Sequence, residues 1–252
     1  MSRYIFYIPG NQAVQRSTGK ALKAMGYTIA PLPSPETTHL LLPIPSFFDN
    51  GELKCGGDLG RLLSELPGDV TIIGGKFPEA LTKKYHTIDL LKDAEYVAEN
   101  AYITACCAMR IIMMELPVIL RGCKILIIGW GRIAQCLAAL LRGAEADVTI
   151  ATRSNDHRAL AHAIGYKVAD TNALTGILSD YRVICNTAPA TVISAKQASL
   201  CRDDCLKIDL ASKLGIEGKH VIWARGLPGK DTPESSGRLI AETIIRILNK
   251  EE

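Results

Sequence analysis

Residues Lys124 to Ser154 read "KILIIGWGRIAQCLAALLRGAEADVTIATRS". An unbroken apolar run, a turn bracketed by glycines, apolar residues at helical spacing and a second apolar run follow one another directly. The pattern is strand, tight turn, amphipathic helix, strand, which makes one βαβ unit with its strands parallel. Parallel strands have both faces covered, so the stretch predicts a sheet with helices on either side.

The rest of the chain keeps this alternation. Downstream come a helix "HRALAHAIG", a strand "YKVAD", a helix "NALTGILSD", a strand "YRVICNTAP" and a helix "SAKQASLC". Two more strands, "CLKIDLAS" and "HVIWARGLPG", complete a doubly wound domain. Upstream, "RYIFYIPG", "YTIAPLP", "THLLLPIP", "DVTIIGG" and "YHTIDLL" read as strands. The stretches "AVQRSTGKALKAMG" and "LGRLLSELPG" read as helices between them.

A long helix, "AEYVAENAYITACCAMRIIMMELP", separates the two runs. Its C-terminal half is apolar almost all round, which predicts burial between two lobes, and Pro117 bends or ends it. The chain closes on "SSGRLIAETIIRILNK", amphipathic through Leu239, Ile240, Ile244, Ile245 and Leu248. The expected fold is therefore α/β: two Rossmann-like lobes, doubly wound parallel sheets joined by long crossing helices. The expected parts are an N-terminal lobe for substrate or partner over 1–98 and a connecting helix over 99–120. A cofactor-binding Rossmann domain over 121–232 follows, and a C-terminal helix over 233–252 packs back on the first lobe.

Composition excludes several classes. A formal charge of +3 over 252 residues, evenly spread, does not suit nucleic acid. The most apolar stretch, "ACCAMRIIMMELPVIL", is interrupted by Arg110, Glu115 and Pro117 and reads as too short and too charged to span a bilayer. "MSRYIFYIPGNQ" is not patterned as a signal peptide, so a cytoplasmic protein is expected. The 8 cysteines have no C-x-x-C spacing and read as reduced thiols, with no metal site.

Gly129, Trp130, Gly131, Arg132, Ile133 and Ala134 fit G-x-G-x-x-A between strand and helix. The first glycine allows the turn, the second lets backbone approach a pyrophosphate, and Ala134 lets the helix lie close to the sheet. Sites for NAD put an acid at the end of the second strand, to bond the ribose 2′-hydroxyl. Here that strand runs out into Thr152, Arg153 and Ser154. A guanidinium flanked by hydroxyls suits a 2′-phosphate, so NADP is the expected cofactor. Asn186 and Thr187 after one later strand, and Asp209 and Ala211 at the end of the next, reach the same sheet edge and are expected at the nicotinamide end.

The segments "GWGRIA", "ATRS", "CNTAPA", "IDLASKLG" and "ARGLPGKDTPESSGRLIAETI", in this order, resemble the A-type subunits of bacterial dipicolinate synthases. The resemblance covers essentially the whole chain and is strongest from Asn100 onward. The wider architecture is similar to that of 2-hydroxyacid dehydrogenases and S-adenosylhomocysteine hydrolases. The resemblance implies oxidation of dihydrodipicolinate to dipicolinate during sporulation, with NADP+ taking the hydride. It also implies a small dicarboxylate substrate, assembly into an oligomer, and a partner in the flavoprotein-like B-type subunit of dipicolinate synthase.

By the same resemblance Lys213 and Lys230 are candidates for the substrate carboxylates. Asn100 and Thr104, one helical turn apart, are candidates to face the substrate. The chain departs from the family pattern where Cys106 replaces an acid and where Leu214 replaces a proline. The first turn, Pro9-Gly10-Asn11-Gln12, also lacks the expected Asp and Arg. These departures motivate an alternative, a diverged and catalytically silent NAD(P)-binding interaction subunit.

Overall fold

The computed structural model describes residues 4–251. Contacts divide the chain into two units, one holding the residues up to Asn100 together with those from Pro228 on, the other Ala101–Leu227.

The first unit has a five-stranded sheet built from β1 (Ile5–Tyr7), β2 (Thr28–Ala30), β3 (His39–Leu41), β4 (Thr71–Gly74) and β5 (Thr87–Asp89). All neighbours are parallel and the order is β2-β1-β3-β4-β5, the doubly wound order of flavodoxin-like folds. The period-2 pattern sorts the side chains. Phe6, Leu41 and Ile73 enter one core with Ile240, Ile244 and Leu248, while Leu40, Leu42 and Ile72 enter the other with Val70 and Leu81. The first core is roofed by α1 (Ala13–Ala24) and α9 (Pro233–Glu251). Gly237 lets these helices touch, since a Cβ there would lie 2.6 Å from the Thr18 nitrogen. Arg246 of α9 pairs with Asp93 at 2.6 Å and Glu95 at 3.1 Å.

The second unit has a six-stranded sheet of β6 (Lys124–Ile128), β7 (Asp147–Ala151), β8 (Lys167–Ala169), β9 (Val183–Asn186), β10 (Leu206–Asp209) and β11 (Val221–Trp223). Its order, β11-β10-β9-β6-β7-β8, is the dinucleotide-binding order, and every pairing is parallel. Ile125 and Ile127 pack under α5 (Arg132–Gly143) against Leu137 and Leu141. Leu126 and Ile128 face the opposite core with Leu174, Leu178 and Ile216.

The sequence pattern and the structure differ in four places. Residues 171–180 form two 3-10 turns, Thr171–Gly176 and Leu178–Asp180, instead of a helix, because Asp170 caps the Asn172 N–H and Ala173 leaves helical geometry. A short helix, α3 (Glu79–Lys84), follows β4 where none was expected. Strand β11 stops at Trp223, and Leu227–Asp231 is a short helix, α8.

The fourth difference concerns α4 (Ala94–Glu115), which ends before Pro117. Its residues Ala105, Ala108 and Ile112 are core, yet Met113 and Met114 are 60% and 75% exposed, so the end of the helix is not buried as its composition predicted. By length and composition alone the whole helix is long and apolar enough to cross a membrane, beyond what the shorter interrupted stretch suggested. Its apolar character is used in part by the core.

Candidate functional site

In the second sheet the strand order reverses between β6 and β9, and such a reversal opens a crevice at the C-terminal strand ends. The register Ile128↔Ala151 and Ile128↔Asn186 brings β6, β7 and β9 to this edge together.

Gly129 leaves β6 with φ +105°, a left-handed backbone that glycine adopts without strain. A Cβ there would lie 2.3 Å from the Thr187 Oγ1, and that hydroxyl donates to the Ile128 carbonyl at 2.9 Å. Gly131 differs: its backbone is extended, and no atom lies within 4 Å of the place a Cβ would take. It precedes α5, whose first turn has no side-chain cap. The leading N–H groups of a helix are the donors that bind phosphate. Ala134 is fully buried, as close packing of helix on sheet requires. Trp130 turns its indole into the core against Tyr166, 5.6 Å between ring centroids, so only its backbone faces the turn. Arg132 is exposed and Ile133 packs partly on the core.

At the end of β7, Thr152 is buried, Arg153 is exposed, and Ser154 caps α6 (Asn155–Ala163) by accepting from the His157 N–H at 3.2 Å. The Thr152 hydroxyl accepts from the Ser154 N–H at 3.3 Å. Sequence reasoning missed a second guanidinium here. Arg158, largely buried, donates to the Thr152 carbonyl and lies 3.3 Å from Asp170, which follows β8. This edge thus carries Arg153 and Arg158 with two carboxylates, Asp170 engaged by Arg158 and Asp156 exposed in the first turn of α6. Pairing across β7 and β8 creates the arrangement, and no local sequence signal announces it.

Asn186 and Asp209, expected at the nicotinamide end, bind each other at the strand ends. Both are fully buried, and the Asn186 amide donates to both Asp209 oxygens at 3.1 Å. Asp209 also accepts the N–H groups of Ala211 (3.0 Å), Gly215 (2.7 Å) and Ile216 (3.0 Å). Their polar atoms, and the Ala211 N–H, are spent on shaping the loop after β10.

Of the expected substrate residues, Lys213 is exposed on that loop, in the second unit. Lys230 is exposed on α8, in the first unit. Asn100 is half-buried and Thr104 buried, one turn apart on α4. An open groove of about 570 Å³ in the first unit is lined by Glu52 and Asp58, charges unsuited to a dicarboxylate. Among the described residues no cluster of metal-ligating side chains occurs.

The topology and the glycine turn define a Rossmann-type dinucleotide-binding domain joined to a second doubly wound α/β unit. Comparison with known proteins narrows this. Over 137 residues the chain is 26% identical to the A-type subunit of dipicolinate synthase from Bacillus subtilis (strain 168); the match covers 51% of this chain and 46% of that one. The aligned region thus spans just under half of the relative's length. The crystal structure of the corresponding dipicolinate synthase subunit from Bacillus halodurans superposes with TM-score 0.80 at 20% identity, covering 98% of both chains. A transhydrogenase from Sinorhizobium meliloti superposes with TM-score 0.70 at 12% identity, covering 98% of this chain and 94% of that one. No protein-family model matches the chain. The chain shares the fold of the A-type dipicolinate synthase subunits, a Rossmann-type domain and a second doubly wound α/β unit.

Proposed function

We propose that the protein is an NADP-dependent oxidoreductase that converts dihydrodipicolinate, or a closely related cyclic dicarboxylate, to its aromatic product. The observation that carries this reading is the open approach to Gly131 at the strand-order reversal, with uncapped α5 behind it and exposed Arg153 at the end of β7.

The residues present fit the cofactor. Gly129 and Gly131 give the pyrophosphate a backbone cradle, and Arg132 and Ile133 begin the helix whose N–H groups face it. Arg153, with the Ser154 hydroxyl beside it, binds a 2′-phosphate through charge-assisted hydrogen bonds. Arg158 adds positive potential at the same edge. Thr187 stands against Gly129 on the nicotinamide side, while Asn186 and Asp209 support the loops from beneath. When bound, the nicotinamide supplies the acceptor for a hydride. The product ring is aromatic, so the protein's task reduces to holding a planar dianion in the right orientation and letting a proton leave. Lys213 and Lys230 are assigned to the carboxylates, and Asn100 and Thr104 to hydrogen bonds that orient the substrate.

The reading extends to a cytoplasmic protein active in sporulation together with the B-type subunit of dipicolinate synthase, supported by the likeness to an A-type one. A second reading, a cofactor-binding interaction subunit without chemistry of its own, draws on Cys106 in place of the expected acid. Incubation with dihydrodipicolinate and NADP+, with and without the B-type partner, separates them. Formation of NADPH with dipicolinate supports the first, whereas cofactor binding without turnover in both mixtures supports the second.

A further inference from the structure

The C-terminal edge of the second sheet carries a stacked pair, Trp223 and Arg225, that the proposed chemistry does not use. Ile128, Asn186, Asp209 and Trp223 are register partners in turn and form one row across β6, β9, β10 and β11. With strands about 4.8 Å apart, Trp223 lies roughly 14 Å along this edge from the glycine turn. It stands on the side of β9 and β10, where Thr187 and the proposed nicotinamide end lie.

Trp223 is 45% exposed, yet its indole is fixed. The Nε1–H donates to the Ala211 carbonyl at 3.1 Å, which draws the ring from β11 across to the loop after β10. That loop is itself held, since the Asp209 carboxylate accepts the N–H groups of Ala211, Gly215 and Ile216. The ring therefore has a rigid seat.

Arg225 follows Ala224, whose N–H continues the strand ladder to the Asp209 carbonyl at 2.8 Å. Residues two apart on an extended segment share a face. The Arg225 Cζ accordingly lies 5.0 Å from the centre of the Trp223 ring, within the range of a cation–π contact. Stacking engages the guanidinium by its flat face, whereas its N–H groups radiate in the plane. Among the described residues none takes up those N–H groups in a hydrogen bond or ion pair. The indole thus restrains a long side chain and leaves its donors available, which lowers the entropy cost of binding. The planar fork matches a carboxylate, with two parallel N–H···O bonds. Lys213 rises from the loop that seats the indole, two residues beyond Ala211, so both cations stand at the ends of neighbouring strands.

We propose that Arg225 binds one carboxylate of the substrate bidentately, with Trp223 as the residue that positions its guanidinium. The assignment rests on the reading of the substrate as a cyclic dicarboxylate. It adds to that reading a subsite contained wholly in the second unit, with Lys213 as the neighbouring charge.

The test is titration of the full chain with pyridine-2,6-dicarboxylate in the presence of NADP+, read by calorimetry and by indole emission. The chain has 2 tryptophans, and Trp130 is buried against Tyr166, so the emission response belongs to Trp223. A saturable change in emission is expected, and Trp223→Phe should abolish it. Arg225→Ala should weaken binding about tenfold or more at an unchanged unfolding midpoint, because a charge-assisted pair of bonds is lost. Arg225→Lys should recover little, since it keeps the charge and loses the fork. Trp223→Ala should weaken binding about threefold, and should cost nothing further in an Arg225→Ala background, as a residue acting through Arg225 requires. No binding of the dicarboxylate by the unaltered protein would contradict the substrate reading and this inference together. Binding that Arg225→Ala and Arg225→Lys leave unchanged overturns the inference alone.

Discussion

The Asn186 side-chain amide donates to both oxygens of the Asp209 carboxylate at 3.1 Å, joining the ends of β9 and β10. The carboxylate also collects N–H groups from Ala211, Gly215 and Ile216, which makes it the knot of the loop carrying Lys213. Gly215 fits over this knot because a Cβ there would lie 2.5 Å from the Asn186 Nδ2.

Removing the knot should be costly. Asp209→Ala leaves three backbone N–H groups and one amide without their acceptor, each a buried polar group. The expected loss is roughly 3–5 kcal/mol of stability, read from urea unfolding. A loss under about 1 kcal/mol would show that the network does not hold the loop.

The two glycines of the turn should separate cleanly on substitution. Gly131→Leu meets open space and should keep its unfolding midpoint; it should lose nucleotide binding, because the side chain would occupy the path proposed for the pyrophosphate. Gly129→Ala should instead destabilise the fold, since its Cβ would run into Thr187 at a left-handed φ. A folded Gly131→Leu variant with undiminished NADP affinity would remove the glycine turn from the cofactor site.

Much of this architecture was legible because its signals are local. The alternation of apolar runs and helical periodicity pointed to both sheets, and the glycine turn between "KILII" and α5 located the crevice. The Asn186–Asp209 knot was not legible, because the two residues meet only through the β9–β10 register. Read singly, each looked like a polar residue offered to a ligand at a strand end. The Arg158–Asp170 pair was hidden for the same reason, as it needs α6 and the end of β8 in contact. At 171–180, Asp170 capping a tight turn outweighed a helical pattern.

Acid should weaken the first unit through His39. The ring is 5% exposed, packed between Tyr4 and Phe6 with centroids 5.0 Å away. Burial first, then the nearby His86 charge, lowers its pKa to about 4 from the usual 6.5. The unfolded chain therefore binds this proton first. The stability is fully present above about pH 6.5, falls as the pH drops through that value, and is lost by about pH 4. The total is roughly 3 kcal/mol. Thermal melts between pH 7.5 and 4 should show the decline, and His39→Leu should flatten it. A decline of equal size in the variant would assign it to other groups.

On the proposed contact between Arg153 and a 2′-phosphate, Arg153→Ala should erase most of any preference for NADP(H), weakening it while leaving NAD(H) nearly unchanged. Arg158→Ala should also lower stability, since this side chain ties Thr152 to Asp170. A preference unchanged in Arg153→Ala would make that residue a solvated loop arginine.

Calorimetric titration of the unaltered protein with NADP+ and with NAD+ tests the cofactor assignment most directly. The proposed charge-assisted contact of Arg153 with a 2′-phosphate would be worth roughly 1.5–3 kcal/mol. NADP+ is therefore predicted to bind about tenfold to a hundredfold tighter than NAD+. Equal affinity for the two, or binding of neither, would contradict it.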